Sequence, residues 1–243
     1  MRRVALIPGG ARGIGRAVAQ ALAARGWDVA LCYRRSEADA KIAVAAVEAA
    51  GGSALALCAD VSAADACGEL YDQVLAWRGQ IDALIHCAGP FRRVDVLAET
   101  PEGWRSMFAN NLDSLFYLAR LVAPGMIERR WGRIVGFAMA NADRTTAHTQ
   151  LTAHYLAKVG VLGLVRSLAK ALAPHRITAN SISPGFIDSG SIDLAELAQM
   201  AKSIPAGNVG TVDDVVSAVL YLLSDEAGYV NGTNINVSGG WGI

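Results

Sequence analysis

Seven short apolar runs, each trailed by a longer stretch of helical periodicity, leave this chain few folds to choose from. The runs fall at 4–7, 29–33, 54–59, 83–86, 133–137, 178–183 and 233–237. Helical spacing of apolar residues occupies about 13–25, 37–50, 63–78, 103–130, 149–172, 192–203 and 212–224. Several of the runs lack any polar alternation, so those strands have to be covered on both faces. Strand alternating with helix implies right-handed crossovers and a parallel sheet between two helical layers. The expectation is an α/β fold built on a doubly wound parallel sheet of about seven strands. No Ser/Pro/Gly-rich linker, internal repeat or low-complexity tract interrupts the pattern, so residues 1–243 read as a single domain.

Charge and cysteine usage narrow the function classes. Twenty-two basic and 22 acidic residues cancel, so no whole-molecule field draws the chain to nucleic acid or a lipid surface. Cys32, Cys58, Cys67 and Cys87 form no C-x-x-C and sit near no paired histidines, which argues against a metal site and a disulfide framework. They read as small buried apolar groups in a reducing compartment. The first apolar run is too short for a signal peptide and is broken at once by Gly9 and Gly10. No run approaches the roughly 18 apolar residues of a membrane span. The expected setting is the cytoplasm, with a small molecule as the binding partner.

The first strand leads into Gly9-Gly10-Ala11-Arg12-Gly13-Ile14-Gly15 and then a helix. Glycines allow a tight turn and close backbone approach, while a helix N-terminus offers unsatisfied N–H groups and a positive dipole end. Together these suit a pyrophosphate. A plain strand-to-helix turn would use glycine too, so position matters: this loop follows the first strand and opens an amphipathic helix, as in a Rossmann-type nucleotide site. The second strand ends Arg34-Arg35-Ser36. An acid there would bind the ribose 2′-hydroxyl of NAD; two guanidiniums and a hydroxyl suit a 2′-phosphate, and Arg12 is placed to join them. NADP(H) is favoured over NAD(H).

With these residues in place the chain resembles the short-chain dehydrogenases/reductases, and within them the 3-oxoacyl-carrier-protein reductases. The resemblance runs nearly end to end, through the glycine loop, Asp60-Val61, Ala88-Gly89, Asn111-Leu112, Gly132-Arg133-Ile134-Val135, Lys158-Val159-Gly160, Asn180, Pro184-Gly185-Phe186-Ile187 and Ser238-Gly239-Gly240. It implies reduction of a carbonyl, a cofactor across the carboxyl edge of the sheet, a short substrate lid at about 188–208 and a homotetramer. Asp60 and Val61 would lie near the adenine, and Ala88, Gly89, Pro184, Gly185 and Ile187 along the cofactor. The family reduces a carbonyl with Ser, Tyr and Lys, plus an Asn that organises water; the Lys also holds the nicotinamide ribose.

Lys158 and Asn111 match that pattern, but the other two positions depart from it. The serine slot falls on Met139, and the tyrosine slot, four before the lysine, on His154. Tyr155 stands one place later, about 100° further round a helix. His86 and Cys87 replace two common asparagines. Three readings stand open: His154 donates the proton, a rotated helix start lets Tyr155 do so, or cofactor binding survives without robust reductase chemistry, enoyl reduction being a further variant. Asn141, Asp143, Thr145 and Thr146, in the loop before this helix, are the polar groups available to replace the serine.

Overall fold

A computed structural model describes residues 2–144, 146–190 and 193–242. Seven parallel strands form one sheet in the order β3-β2-β1-β4-β5-β6-β9. Their bounds are β1 Val4–Pro8, β2 Asp28–Tyr33, β3 Ala54–Cys58, β4 Ala83–His86, β5 Gly132–Phe137, β6 Ile177–Pro184 and β9 Asn234–Val237. All seven coincide with the apolar runs to within about two residues. Successive residues point to opposite faces. Val4 and Leu6 therefore enter one core, against helices α3 (Ala64–Arg78), α5 (Ser114–Arg129) and α6 (Thr152–Leu172). Ala5 and Ile7 enter the other, against α1 (Gly13–Ala23) and α8 (Val212–Leu223). Both faces of β1 are fully buried, which is why it shows no alternation in sequence.

The strand order reverses between β1 and β4. From β1 the chain winds outward through β2 and β3, then returns to lay β4 on the other side. The loops after β1 and β4 consequently diverge and leave a crevice at the carboxyl edge of the sheet, the usual place for a ligand in such folds.

The expected continuous helix over 103–130 is instead three pieces. Helix α4 (Pro101–Phe108) starts with Thr100 capping Gly103 N at 3.0 Å, a π turn covers Ala109–Asp113, and α5 follows. A π turn adds one residue to the coil and hardly alters the apolar spacing, so periodicity passes through it unmarked. It swings Asn110 and Asn111 toward the crevice side of the bundle, where both are buried. The segment 188–208 is pinned at its base by a two-stranded ribbon, β7 (Ile187–Asp188) with β8 (Gly210–Thr211), and carries helix α7 (Leu194–Ala201). Ser191 and Ile192 of this segment lie outside the described residues. Helix α2 (Glu37–Ala49) covers the outer strands β2 and β3. Among the described residues no helix is long and apolar enough to cross a membrane.

Candidate active site

The crevice is a cleft of about 830 Å³. Gly9, Arg12, Gly13, Ile14, Gly15, Arg34, Arg35, Ser36, Asp60, Val61, Ala88, Gly89, Pro184, Gly185 and Ile187 all line it. Two of the glycines are required by contact. Gly9 has φ +77°, and a Cβ there would lie 2.8 Å from the Ala88 nitrogen and the Cys87 carbonyl carbon. A Cβ on Gly15 would strike the Gly9 carbonyl oxygen. Helix α1 is thus seated directly on the turn that feeds it. Its N-cap, Arg12, is extended and offers no side-chain cap, and the first turn carries no acid. The first-turn N–H groups, which have no intrahelical partner, lie in the wall of the cleft.

The far end of the cleft is cationic. Arg12, Arg16, Arg34 and Arg35 line it against only two carboxylates, Asp39 and Asp60. Arg34 Nη1 lies 3.4 Å from Asp60 Oδ2 and donates at 3.3 Å to Asn110 Oδ1. Among the described residues no carboxylate lies within ion-pair distance of Arg12 or Arg35, and both are exposed. The glycine turn and the open first turn of α1 fit the pyrophosphate of a dinucleotide.

The other end is closed by α6. Lys158 is buried and its Nζ donates to the Phe137 carbonyl at 2.8 Å, just behind the cleft wall. Burial lowers its pKa to about 8. A Cβ on Gly89 would meet both Asn111 Oδ1 and, at 3.3 Å, Lys158 Nζ, so these two polar atoms flank the same gap. Asn111 donates to the Met107 carbonyl at 3.0 Å and the Pro90 carbonyl at 3.3 Å, while its Oδ1 is buried without a partner among the described residues.

His154 and Tyr155 part ways, as their 100° separation requires. His154 lies one helical turn before Lys158, 7% exposed, with its ring edge-on to Phe91 at 5.2 Å. Burial, reinforced by the Lys158 cation and opposed by the Pro90 backbone, lowers its pKa to about 4. The Tyr155 hydroxyl instead accepts a hydrogen bond from Thr146 N at 2.9 Å, and its ring tilts against His148. Neither His154 nor Tyr155 lines the cleft, and neither do Lys158 and Asn111, which stand behind its wall. The Met139 side chain is half-buried and packs on the α5–α6 core. Of the loop candidates, Asn141 has φ +62° and a buried, unpartnered Oδ1. Asp143 and Thr146 are exposed, and Thr145 lies outside the described residues.

Comparison with known proteins settles the family. A family model described as Enoyl-(Acyl carrier protein) reductase matches residues 9–242. The 3-oxoacyl-[acyl-carrier-protein] reductase FabG of Staphylococcus epidermidis is 34% identical, over 99% of both chains. NovJ, a short-chain reductase protein of Streptomyces niveus, is 33% identical over 98% of this chain and 93% of its own. A short-chain dehydrogenase/reductase from Serratia marcescens superposes with a TM-score of 0.92 at 30% identity, over 99% of this chain and 98% of that one. The chain is a short-chain dehydrogenase/reductase.

This member of an oxidoreductase family carries Lys158 on α6, Asn111 in its π turn, and an imidazole one helical turn before the lysine. Three features of this short-chain dehydrogenase/reductase escaped sequence reasoning. Asn110, next to the matched Asn111, lines the cleft and contacts Arg34. Cys32 and Cys87 both line the cleft; Cys87 is half-buried and Cys58 exposed, so the expectation of buried cysteines holds only for Cys32 and Cys67. His86 is buried with Nε2 2.8 Å from Ser114 Oγ, and burial, with the nearby Lys158 charge, lowers its pKa to about 3. The signal available for His86 was its place at the end of a fully buried strand.

Proposed function

We propose that this protein is an NADP(H)-dependent oxidoreductase that reduces the carbonyl of a 3-oxoacyl compound or another small apolar ketone. The observation that carries this reading is a single cleft lined by four guanidiniums against two carboxylates, with Lys158 and the orphaned Asn111 oxygen both standing just behind its Gly89 wall. In this reading the bound cofactor supplies the hydride to the carbonyl carbon. The first-turn amides of Gly13, Ile14 and Gly15 hold the pyrophosphate, and Arg12, Arg34, Arg35 and Ser36 hold the 2′-phosphate. Lys158 leaves the Phe137 carbonyl for the nicotinamide ribose, and Asn111 Oδ1 accepts from an ordered water. His154, beside Phe91 and Pro90, gives a proton to the substrate oxygen; Tyr155 is engaged with Thr146 and serves the loop. The relatives named as 3-oxoacyl-[acyl-carrier-protein] reductases support the substrate class.

A second reading, cofactor binding with slow or absent reduction, is favoured by Met139 in the serine slot and by the lowered His154 pKa. Loss of one oxyanion donor costs about 10²–10³ in rate. A cytoplasmic homotetramer is part of the proposal; exposed Trp104, Phe116 and Leu156 on α4, α5 and α6 supply apolar surface for such contacts, and analytical ultracentrifugation tests it.

The decisive experiment is fluorescence titration with NADPH and NADH, followed by a screen of ketones and enoyl thioesters. Replacing Arg34 and Arg35 with Ala is expected to weaken NADPH far more than NADH, and equal losses would refute the 2′-phosphate assignment. Turnover abolished by His154→Phe but kept in Tyr155→Phe supports the imidazole as acid. The reverse pattern assigns Tyr155, and binding without turnover across the panel selects the second reading.

A further inference from the structure

We infer that Asn110 is a positioning residue that holds the Arg34 guanidinium in place for the cofactor's 2′-phosphate and so sets coenzyme preference. This rests on the NADP(H) reading above.

Asn110 sits in the π turn, 9% exposed, on the wall of the cleft. Its Nδ2 donates to the Ser106 carbonyl at 2.9 Å, which fixes the amide so that Oδ1 meets Arg34 Nη1 at 3.3 Å. Its own carbonyl accepts from Ser114 Oγ at 2.9 Å, and that hydroxyl is in turn 2.8 Å from the buried His86 ring. The Asn110 backbone and side chain are therefore both tied to the protein interior. Arg34's other partner is more exposed: the Ser62 amide and hydroxyl hold Asp60 Oδ1, but the carboxylate stands half in solvent, where its pull on the guanidinium is screened.

The consequence lies in which part of the guanidinium is used. Both partners engage Nη1. Among the described residues, Nε and Nη2 have no hydrogen-bond partner. Those two N–H groups form one edge of the planar fork, the edge that grips a phosphate bidentately. An amide at position 110 anchors the opposite corner without adding negative charge, so the cation keeps its field for an incoming phosphate. A carboxylate there would neutralise it, and an apolar side chain would leave a flexible arginine held only by an exposed Asp60.

The test is a binding cycle on the full-length protein with NADPH and NADH as probes, using wild type, Asn110→Ala, Arg34→Ala and the double variant. Asn110→Ala is expected to weaken NADPH about three- to ten-fold, the range for one hydrogen bond, while NADH changes less than about two-fold. In the Arg34→Ala background the same substitution is expected to cost nothing further, because its effect passes through the guanidinium. A loss shared equally by NADPH and NADH, or one that persists without Arg34, overturns the inference. If Arg34→Ala leaves the NADPH-to-NADH ratio unchanged, the 2′-phosphate reading itself fails and takes this one with it. If Arg34→Ala erases the preference but Asn110→Ala does not diminish it, only the role of Asn110 is lost. Should the alanine variant fail to fold, Asn110→Leu, which keeps bulk but offers no acceptor to the guanidinium, is read by the same criteria.

Discussion

Acidification is expected to destabilise this protein well before its carboxylates titrate, because His86 and His154 are both buried as neutral rings. Their pKa values are lowered to about 3 and about 4, chiefly by burial and then by Lys158, whereas an unfolded histidine titrates near 6.5. Between those limits the unfolded chain binds more protons than the folded one, so stability falls as pH falls. Integrating from pH 7 to pH 5 gives a loss of about 2 kcal/mol for each ring, about 4 kcal/mol together. That is a large share of the roughly 5–15 kcal/mol that holds a domain together. Urea unfolding at pH 7, 6 and 5 at constant ionic strength, followed by tryptophan fluorescence, measures the slope. His86→Asn is expected to remove about half of it. The exchange leaves Ser114 Oγ its bond to the Asn110 carbonyl, so a new buried hydroxyl defect does not confuse the comparison. An unfolding free energy that stays flat from pH 7 to 5 in wild type, or a His86→Asn slope equal to the wild-type slope, would refute the reasoning.

Three further outcomes follow from the same geometry. Gly15→Ala is expected to weaken NADPH and NADH alike by at least about ten-fold, since its Cβ would strike the Gly9 carbonyl and push α1 off the pyrophosphate site; unchanged affinity for either in titrations counts against the cradle. If His154 acts as an imidazolium acid with its pKa lowered to about 4, initial rates of ketone reduction are expected to rise about ten-fold per pH unit from pH 7 to 5. His154→Phe is expected to abolish that rise, and a flat wild-type profile would remove His154 from the role. Met139→Ser is expected to raise kcat by up to about 10² by supplying an oxyanion donor, and an unaltered kcat at saturating cofactor would show that the slot no longer faces the substrate.

Much of the site was readable because its requirements are local. A strand buried on both faces is largely apolar, which is why β1 and β5 stand out as runs at 4–7 and 134–137, while the edge strands β3 and β9 are only half-buried. A turn that presses a helix onto a carbonyl needs glycine at 9 and 15, and those residues mark the cradle before any coordinates exist. Arg34 and Arg35 declared themselves by their place at the end of the second strand. The π turn did not, because an extra residue barely disturbs helical spacing, and with it Asn110 went unnoticed.

The chain's own order of residues thus determined the alternation of strand and helix, the glycine turn and the arginines at the end of the second strand, since each depends on neighbours within a few positions. The strand order whose reversal opens the cleft is instead a matter of long-range pairing. Only the tertiary structure decided which of two adjacent rings joins Lys158 and which is tied to Thr146, that His86 is sealed beneath the site, and that Asn110 reaches Arg34. The His86–Ser114 and Asn110–Arg34 contacts join segments distant in sequence, and the desolvation that lowers the pKa of a ring or an amine exists only once such segments close around it.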